Sequence, residues 1–255
     1  MLFNLIYNIY NEDFLKGAVM KICGLQKLTL LDYPGKMGCT VFLGGCNFRC
    51  PFCHNGGLVL PDRLREVMSV DELLAFLDSR RGRLQGICIS GGEPSLNLDL
   101  PDLLRDIKSR GFEVKLDTNG TNPEMLSLLI DEGLVDYVAM DIKNSLKKYA
   151  LTAGFDDECG IDRVEFLIEK VKESASILMQ GRVDFEFRTT LVRELHTVED
   201  IHSIGEWLSG SEKYFLQSYR NEGDLLVGGF SAFTPEETEG LLAELKRYIP
   251  NAEIR

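Results

Sequence analysis

Short apolar runs alternate along the chain with longer segments in which apolar residues recur every three or four positions. A short apolar run is typical of a buried strand, whereas a repeat at i, i+3, i+4 and i+7 is typical of a helix with one buried face. The predicted strands cover residues 39–43, 86–90, 112–116, 137–142, 185–192 and 214–217. The predicted helices follow these strands and begin near Ser69, Leu100, Asn122, Arg163, Val198 and Thr234. Strand and helix therefore alternate about six times.

This alternation predicts an α/β fold. Strands that alternate with helices form βαβ units with parallel strands and right-handed crossovers. A complete barrel needs eight such units, so about six predict an open, partial (β/α)6 barrel of the TIM type. The sequence lacks the Gly-x-Gly-x-x-Gly pattern that is typical of a dinucleotide-binding sheet. We expect one domain over residues 20–255, preceded by an N-terminal extension of residues 1–19, and Met20 is a candidate for the true start.

Charge and cysteine content restrict the partners and the compartment. The 255-residue chain has a net charge of −12, which argues against a nucleic-acid partner, because such proteins need basic patches. No apolar stretch reaches the roughly 18 residues of a membrane span, and no signal peptide is present. The seven cysteines are odd in number and three share one motif, so a disulfide framework is not expected. A reducing, cytoplasmic location fits better.

Three of those cysteines, Cys46, Cys50 and Cys53, directly follow the first predicted strand. Clustered thiolates bind iron-sulfur clusters, zinc or copper(I), and structural zinc needs a fourth ligand. His54 is adjacent to Cys53 and poorly placed to bind the same ion, and Cys39 lies on the strand itself. Three cysteines instead suit a [4Fe-4S] cluster with one iron open to a ligand. A structural zinc site remains the alternative.

The other predicted strands also end in unusual polar residues. Their ends carry G-G-E-P, D-T-N-G, M-D-I-K, Arg188, and Tyr219 with Arg220. Each has an ordinary explanation alone, such as a tight turn or a solvated charge. In barrels of this kind the C-terminal ends of the strands form the active site. The occurrence of all these residues at the C-terminal ends of the strands therefore predicts a functional site at this end of the barrel.

The motifs resemble those of a known family. Cys-x3-Cys-x2-Cys with Phe52 before the last cysteine resembles the signature of radical S-adenosylmethionine (SAM) enzymes. From residue 22 to about 220, the series G-L-Q-K-L-T-L-L-D-Y-P-G-K, C-N-F-R-C-P-F-C-H-N, I-S-G-G-E-P, L-D-T-N-G and V-D-Y-V-A-M-D-I-K is similar to the activating enzymes of glycyl radical enzymes. Within these, it resembles the anaerobic ribonucleoside-triphosphate reductase activating protein family.

The resemblance implies roles for individual residues. Cys46, Cys50 and Cys53 would bind the [4Fe-4S] cluster, and these cysteines with Lys143 and Arg188 form the catalytic set. SAM would be held by Phe52, His54, Gly91, Gly92, Glu93, Asp117, Asn119, Asp141, Lys143, Arg188 and Arg220. A monovalent cation beside the SAM carboxylate would be held by Asp117, Thr118, Met140 and Asp141. Arg220 stands where related activases carry a histidine, which puts that contact in doubt.

The resemblance also implies a reaction and its partners. The reduced cluster would cleave SAM to methionine and a 5'-deoxyadenosyl radical, which takes a hydrogen from a glycine of a partner enzyme. That partner would be anaerobic ribonucleotide reductase, and flavodoxin or ferredoxin would donate the electron. One cluster is expected, because no second Cys-x-x-Cys lies between Cys53 and Gly91. The other cysteines, Cys23, Cys39, Cys88 and Cys159, are expected to be small buried hydrophobic residues.

Two alternative functions stay open on the sequence. One is a radical SAM enzyme that acts on a small molecule or another peptide, since one fold hosts many reactions. The other is a non-catalytic iron-sulfur or zinc protein.

Overall fold

One eight-stranded sheet organises the computed structural model, which describes residues 20–155 and 161–255. The strands are β1 (Ile22–Thr29), β2 (Gly38–Leu43), β3 (Gly86–Gly91), β4 (Glu113–Thr118), β5 (Tyr137–Asp141), β6 (Asp184–Leu191), β7 (Tyr214–Ser218) and β8 (Glu253–Ile254). They lie in the sheet in the order in which they occur along the chain. The predicted extension, residues 1–19, and Cys159 lie outside the described residues.

Helices connect the strands. They are α1 (Gly56–Val59), α2 (Val70–Asp78), α3 (Leu100–Ser109), α4 (Pro123–Asp131), α5 (Tyr149–Ala153), α6 (Ile161–Leu178), α7 (Val198–Trp207) and α8 (Pro235–Leu245), with single 3-10 turns at Pro94–Leu96 and Leu146–Lys148. No helix in the described part of the chain is long and apolar enough to cross a membrane.

Strand directions confirm the predicted open, partial barrel. β2 to β8 are parallel, and only β1 runs antiparallel, against β2. The six predicted strands are β2 to β7, and the structure adds β1 and β8 at the two edges. These edges do not pair with each other within the described residues, so the sheet stays open.

Local sequence signals explain where several helices begin and end. Ser69 and Thr234 each form a capping box with a glutamate three residues later. The Asn122 side chain accepts a hydrogen bond from the Met125 amide ahead of α4. After α4 the chain turns at Gly133, which has a φ of 63° that glycine adopts at little cost.

The two faces of the sheet differ in chemistry. Apolar side chains such as Leu116 and Val138 are fully buried. The opposite face carries charged residues that are equally buried, notably Lys115 on β4 and Glu186 on β6. Since successive strand residues point to opposite faces, the concave interior of the open barrel is polar. A buried charge needs a partner, and the interior is accordingly a network of ion pairs.

Candidate active site

A cavity of about 460 Å³ opens at the C-terminal ends of β2 to β7. The predicted site residues that line it are Cys46, Cys50, Phe52, Cys53, His54, Gly91, Gly92, Asp117, Thr118, Asn119, Asp141, Lys143 and Arg188. The strand ends therefore bring most of the predicted residues together. Glu93, Met140 and Arg220 are predicted residues that do not line this cavity.

The loop that carries the three cysteines is held by hydrogen bonds to its own backbone and to α5. Arg49 Nη1 donates to the carbonyl oxygens of Cys46 (2.6 Å) and Phe48 (2.8 Å). The Arg49 amide donates to Ala153 O at 2.9 Å. Phe48 is buried and packs edge-on against Phe155, with ring centroids 5.4 Å apart. The loop is thus fixed before any cluster binds.

A second segment straps this loop from the other side. The amides of Leu226 and Val227 donate to Cys53 O (3.0 Å) and Pro51 O (3.1 Å). Asp224 pairs with the same loop in both directions, because its amide donates to His54 O (3.1 Å) and its carbonyl accepts from the Gly56 amide (2.8 Å). The strap therefore holds the end of the cysteine motif at Pro51 and Cys53 and the residues that follow it.

Burial controls the protonation of the three thiols. It raises the pKa of Cys46 to about 12 and of Cys50 to about 11, and it raises the pKa of Cys53 as well. The thiols are therefore protonated near neutral pH until a metal binds. Metal coordination deprotonates a thiol, so cluster insertion here should release protons.

The donor set fits a cluster better than a single ion. A zinc ion would need each sulfur about 2.3 Å from one centre. Among the described residues, no three His, Cys, Asp or Glu side chains meet as ligands of one metal ion. Three thiols that share a cavity in this way suit an iron-sulfur cluster, in which each cysteine binds a different iron. Cys39 and Cys88 are buried as predicted, and Cys23 is partly buried.

The two glycines of G-G-E-P lie directly against the start of the cysteine loop. Gly91 has a φ of 128°, and a Cβ there would lie 2.1 Å from Leu43 O. A Cβ on Gly92 would lie 2.0 Å from Gly45 O. Only glycine permits this approach. Both glycines line the cavity, so their backbone is available to a ligand.

Glu93, which the resemblance predicts as a SAM-binding residue, lies in a network of buried hydrogen bonds. Its side chain is buried, and its Oε1 accepts from the Ser95 amide (3.0 Å), Ser95 Oγ (2.6 Å) and Thr118 Oγ1 (2.8 Å). Its Oε2 accepts from the Asn119 amide (2.6 Å). Burial raises the pKa of Glu93, and these four donors act in the opposite direction. The carboxylate therefore ties the loops after β3 and β4 together.

The D-T-N-G loop is also tied to the cysteine loop. Asn119 Nδ2 donates to Asn47 Oδ1 at 2.9 Å, and Asn47 Nδ2 donates to Thr121 Oγ1 at 2.8 Å. Asn119 lines the cavity as predicted, and this amide pair fixes its orientation. The three motifs thus form one hydrogen-bonded unit.

Opposite the cysteines, charged side chains form the wall of the cavity. Arg188 Nη2 lies 2.9 Å from Asp141 Oδ1, and Arg188 Nη1 lies 3.5 Å from Asp117 Oδ1. Lys143 Nζ lies 3.1 Å from Asp141 Oδ2. Burial acts to raise the pKa of Asp141, but Arg188 and Lys143 outweigh it and lower this pKa to about 2. The wall is therefore fully ionised near neutral pH.

Lys115 belongs to the same ion-pair network but does not itself line the main cavity, and the sequence reasoning missed it. Its Nζ pairs with Asp117 Oδ1 and lies 3.8 Å from Cys88 Sγ, and the residue is 1% exposed. The available signal was its place two residues before Asp117 on the same strand, which puts both side chains on one face.

The remaining predicted residues lie apart from the main cavity. Met140 is fully buried and packs over Gly120, where a Cβ would lie 2.2 Å from Met140 Cε. Arg220 lines a neighbouring cavity of about 350 Å³, which is also lined by Lys115, Asp117 and Arg188 of the ion-pair network. Arg220 could therefore reach a ligand only through this second cavity.

Comparison with known proteins gives a consistent result. A model of the Radical SAM superfamily matches residues 40–179. A protein of Methanocaldococcus jannaschii whose name places it among glycyl-radical enzyme activating enzymes is 35% identical over 239 residues, which is 92% of this chain and 95% of that protein. A second protein of that organism with the same kind of name is 28% identical over 216 residues, 82% of this chain and 77% of that protein.

Solved structures share the fold. A domain of pyruvate-formate lyase-activating enzyme from Bacteroides vulgatus has a TM-score of 0.51 and 15% identity, and the match covers 67% of this chain and 99% of that domain. Streptococcus suis SuiB bound to S-adenosylmethionine has a TM-score of 0.62 and 13% identity, over 83% of this chain and 48% of SuiB. At these identities the likeness concerns the fold.

Proposed function

Because the chain belongs to the radical SAM superfamily, we propose that it is an activase that generates a glycyl radical on a partner enzyme. The observation that carries the proposal is that one cavity is lined by the two buried thiols of Cys46 and Cys50, the partly buried thiol of Cys53, a charged wall and the backbone of Gly91 and Gly92. The identity to glycyl-radical enzyme activating enzymes extends along nearly the whole chain, which supports this activity over others in the superfamily.

Each part of the cavity has a role in this proposal. Cys46, Cys50 and Cys53 would hold a [4Fe-4S] cluster, and SAM would bind beside it. Together these groups supply a reducing electron and a radical able to take hydrogen from carbon. The chain itself binds, orients and shields the reactants, and such positioning suppresses side reactions of the radical.

The charges and polar groups of the cavity suit the methionine end of SAM. Lys143 and Arg188 would pair with its carboxylate, because both present cationic nitrogen atoms to the cavity. Asp141 would face its ammonium group. The exposed backbone of Gly91 and Gly92 would bind the same end. The buried Phe52 ring would lie against the adenine.

The partner is the finer part of the proposal. We assign anaerobic ribonucleotide reductase as the glycyl radical enzyme and flavodoxin or ferredoxin as electron donor, in the cytoplasm, on the family resemblance of the motifs. Within the described residues β1 and β8 do not pair with each other, and a sheet that is open in this way would let a loop of another protein approach the cavity.

Anaerobic reconstitution tests the activity. Protein loaded with iron and sulfide, reduced by dithionite and given SAM should release 5'-deoxyadenosine, and with its partner should produce the electron paramagnetic resonance signal of a glycyl radical. Iron analysis should approach about four irons per chain, as one [4Fe-4S] cluster requires, and about eight would contradict a single cluster.

Two cysteine variants separate the cluster ligands from structural cysteines. Cys50→Ala should lose SAM cleavage. Cys39→Ala should keep it, because Cys39 is fully buried on β2 and does not line the cavity. Cleavage by the Cys50 variant would show that the cluster lies elsewhere. An electron-transfer or zinc protein would release no 5'-deoxyadenosine in any variant.

The runner-up function is a radical SAM enzyme that acts on a small anionic molecule. The second cavity favours it, because Arg220 there has no ion-pair partner among the described residues. Formation of 5'-deoxyadenosine without a glycyl radical on any partner would support this function.

A further inference from the structure

The sequence resemblance predicts a monovalent cation held by Asp117, Thr118, Met140 and Asp141, and the described side chains do not fit one. Both carboxylates already have cationic partners within the chain, Asp117 in Lys115 and Arg188, and Asp141 in Arg188 and Lys143.

The other two predicted ligands are also engaged elsewhere. Thr118 Oγ1 donates to Glu93 Oε1 (2.8 Å) and accepts from the Gly120 amide (3.1 Å). Met140 is fully buried against Gly120 and does not line the cavity. Both ion pairs of Asp117 are made by Oδ1, so among the described contacts Asp117 Oδ2 is the one carboxylate oxygen of this set left without a partner. One such oxygen falls short of the several that a hard cation takes.

The charges of the ion-pair network lead to the same conclusion. Lys115, Lys143 and Arg188 supply three positive charges, and Asp117 and Asp141 supply two negative charges. Each aspartate charge is therefore already offset within the chain, and neither carboxylate offers an added cation an uncompensated negative charge.

Lys115 is the residue whose charge takes the place of an added cation beside Asp117. Its side chain is 2% exposed and paired with Asp117 Oδ1. Its Nζ also lies 3.8 Å from Cys88 Sγ, so the ammonium group is enclosed between a carboxylate and a thiol. The ammonium group is thus a cation fixed beside Asp117.

We propose that Lys115 supplies from within the chain the positive charge that an alkali cation would otherwise place beside Asp117, so that SAM binding here needs no monovalent cation. Lys115 acts as a positioning residue. It holds Asp117 neutralised, and Arg188 is then left to pair with Asp141 and the SAM carboxylate. The inference rests on the proposed function, because it concerns the SAM site.

Equilibrium binding of SAM tests the proposal without turnover. The reconstituted, unreduced holoprotein is dialysed against radiolabelled SAM in tetramethylammonium chloride, and again in potassium or sodium chloride at equal ionic strength. Wild-type affinity should change less than about twofold between these salts. Lys115→Met should bind about tenfold more weakly in tetramethylammonium and regain most of that loss in potassium or sodium.

Two further variants complete the design. Lys115→Arg keeps the charge and should bind independently of the salt. Lys108→Met removes a lysine paired with Asp136, which does not line the cavity, and should behave like wild type. If Lys115→Met does not fold, the wild-type salt series and Lys115→Arg still decide the question.

Three results would overturn the proposal. These are tighter wild-type binding in alkali salts by more than about fivefold, unchanged affinity of Lys115→Met in tetramethylammonium, or a loss in that variant that no alkali cation reverses. Absence of SAM binding by the wild type in every salt would instead reject the proposed function.

Discussion

Replacing Glu93 by alanine should destabilise the protein by several kcal/mol, although Glu93 does not line the cavity. The carboxylate is 1% exposed and accepts four hydrogen bonds. In Glu93→Ala the hydroxyl groups of Ser95 and Thr118 can rotate towards other acceptors. The backbone amides of Ser95 and Asn119 cannot, and each buried donor without a partner costs about 1–3 kcal/mol.

The amides of Ser95 and Asn119, which lose their acceptor in Glu93→Ala, determine the expected loss of stability. Their cost is about 2–6 kcal/mol, reduced because the buried carboxylate no longer has to be desolvated. We expect a net loss of about 3 kcal/mol, or roughly 6–12 °C in Tm for a protein of this size. Glu93→Gln keeps an oxygen for the three donors on Oε1 but turns an amide group towards the Asn119 amide. Glu93→Gln should therefore lose less stability, about 1–2 kcal/mol.

Urea unfolding of the reduced apoprotein measures these differences. Glu124→Ala is the matched control, because that carboxylate is 42% exposed and pairs only with Lys170, so its removal should cost less than about 1 kcal/mol. The expected order of stability is wild type, Glu93→Gln, Glu93→Ala. If Glu93→Ala were as stable as the Glu124 control and still bound SAM like wild type, the idea that Glu93 ties the two loops would be refuted.

Two further predictions concern the glycine contact and the charged wall. Gly92→Ala should cost about 1–3 kcal/mol through overpacking, because its Cβ would lie 2.0 Å from Gly45 O, and iron uptake should fall. Gly240→Ala, in α8 with nothing within 4 Å of its Cβ, should instead stabilise by about 0.5–1 kcal/mol, and the opposite order in urea would contradict the packing argument. The pKa of Asp141 is about 2 in the folded protein and about 3.9 in the unfolded chain. The ionised Asp141 therefore stabilises the fold at pH values above about 3.9, and this stabilisation is lost as the pH falls towards about 2. Between about pH 5 and 3 wild type should lose about 1 kcal/mol more than Asp141→Asn, and parallel pH profiles of the two proteins would refute this.

The six strands β2 to β7 could be predicted because each carries either a short apolar run, as β3 does, or apolar residues at alternating positions, as β4 does. β1 has no such pattern, since several of its residues face solvent at the sheet edge, and no strand is predicted there. β8 has only two residues, both exposed, and two residues carry no periodicity. Edge strands are held by pairing with one neighbour, so their sequences are less constrained than those of central strands.

The site could be predicted as far as parallel strands bring their C-terminal ends to one rim. The sequence motifs did not reveal which side chains at that rim face the cavity. Glu93 belongs to a predicted motif, yet its carboxylate turns inward to four donors. In this motif it is Gly91 and Gly92, the two residues before Glu93, that line the cavity. A motif thus marks a region of contact, and hydrogen bonding decides which atoms remain for a ligand.

Lys115 escaped prediction for a reason that is general to open barrels. In E-V-K-L-D-T the apolar residues Val114 and Leu116 alternate with Glu113, Lys115 and Asp117. In a sheet with one solvated face, such alternation indicates polar side chains in water. Here that face lines the barrel interior, so the alternation marks a buried ionic layer. Because buried charges need partners, Asp117 cannot be interpreted apart from Lys115. The ligand role of Asp117 therefore depends on the residue two positions before it on the strand.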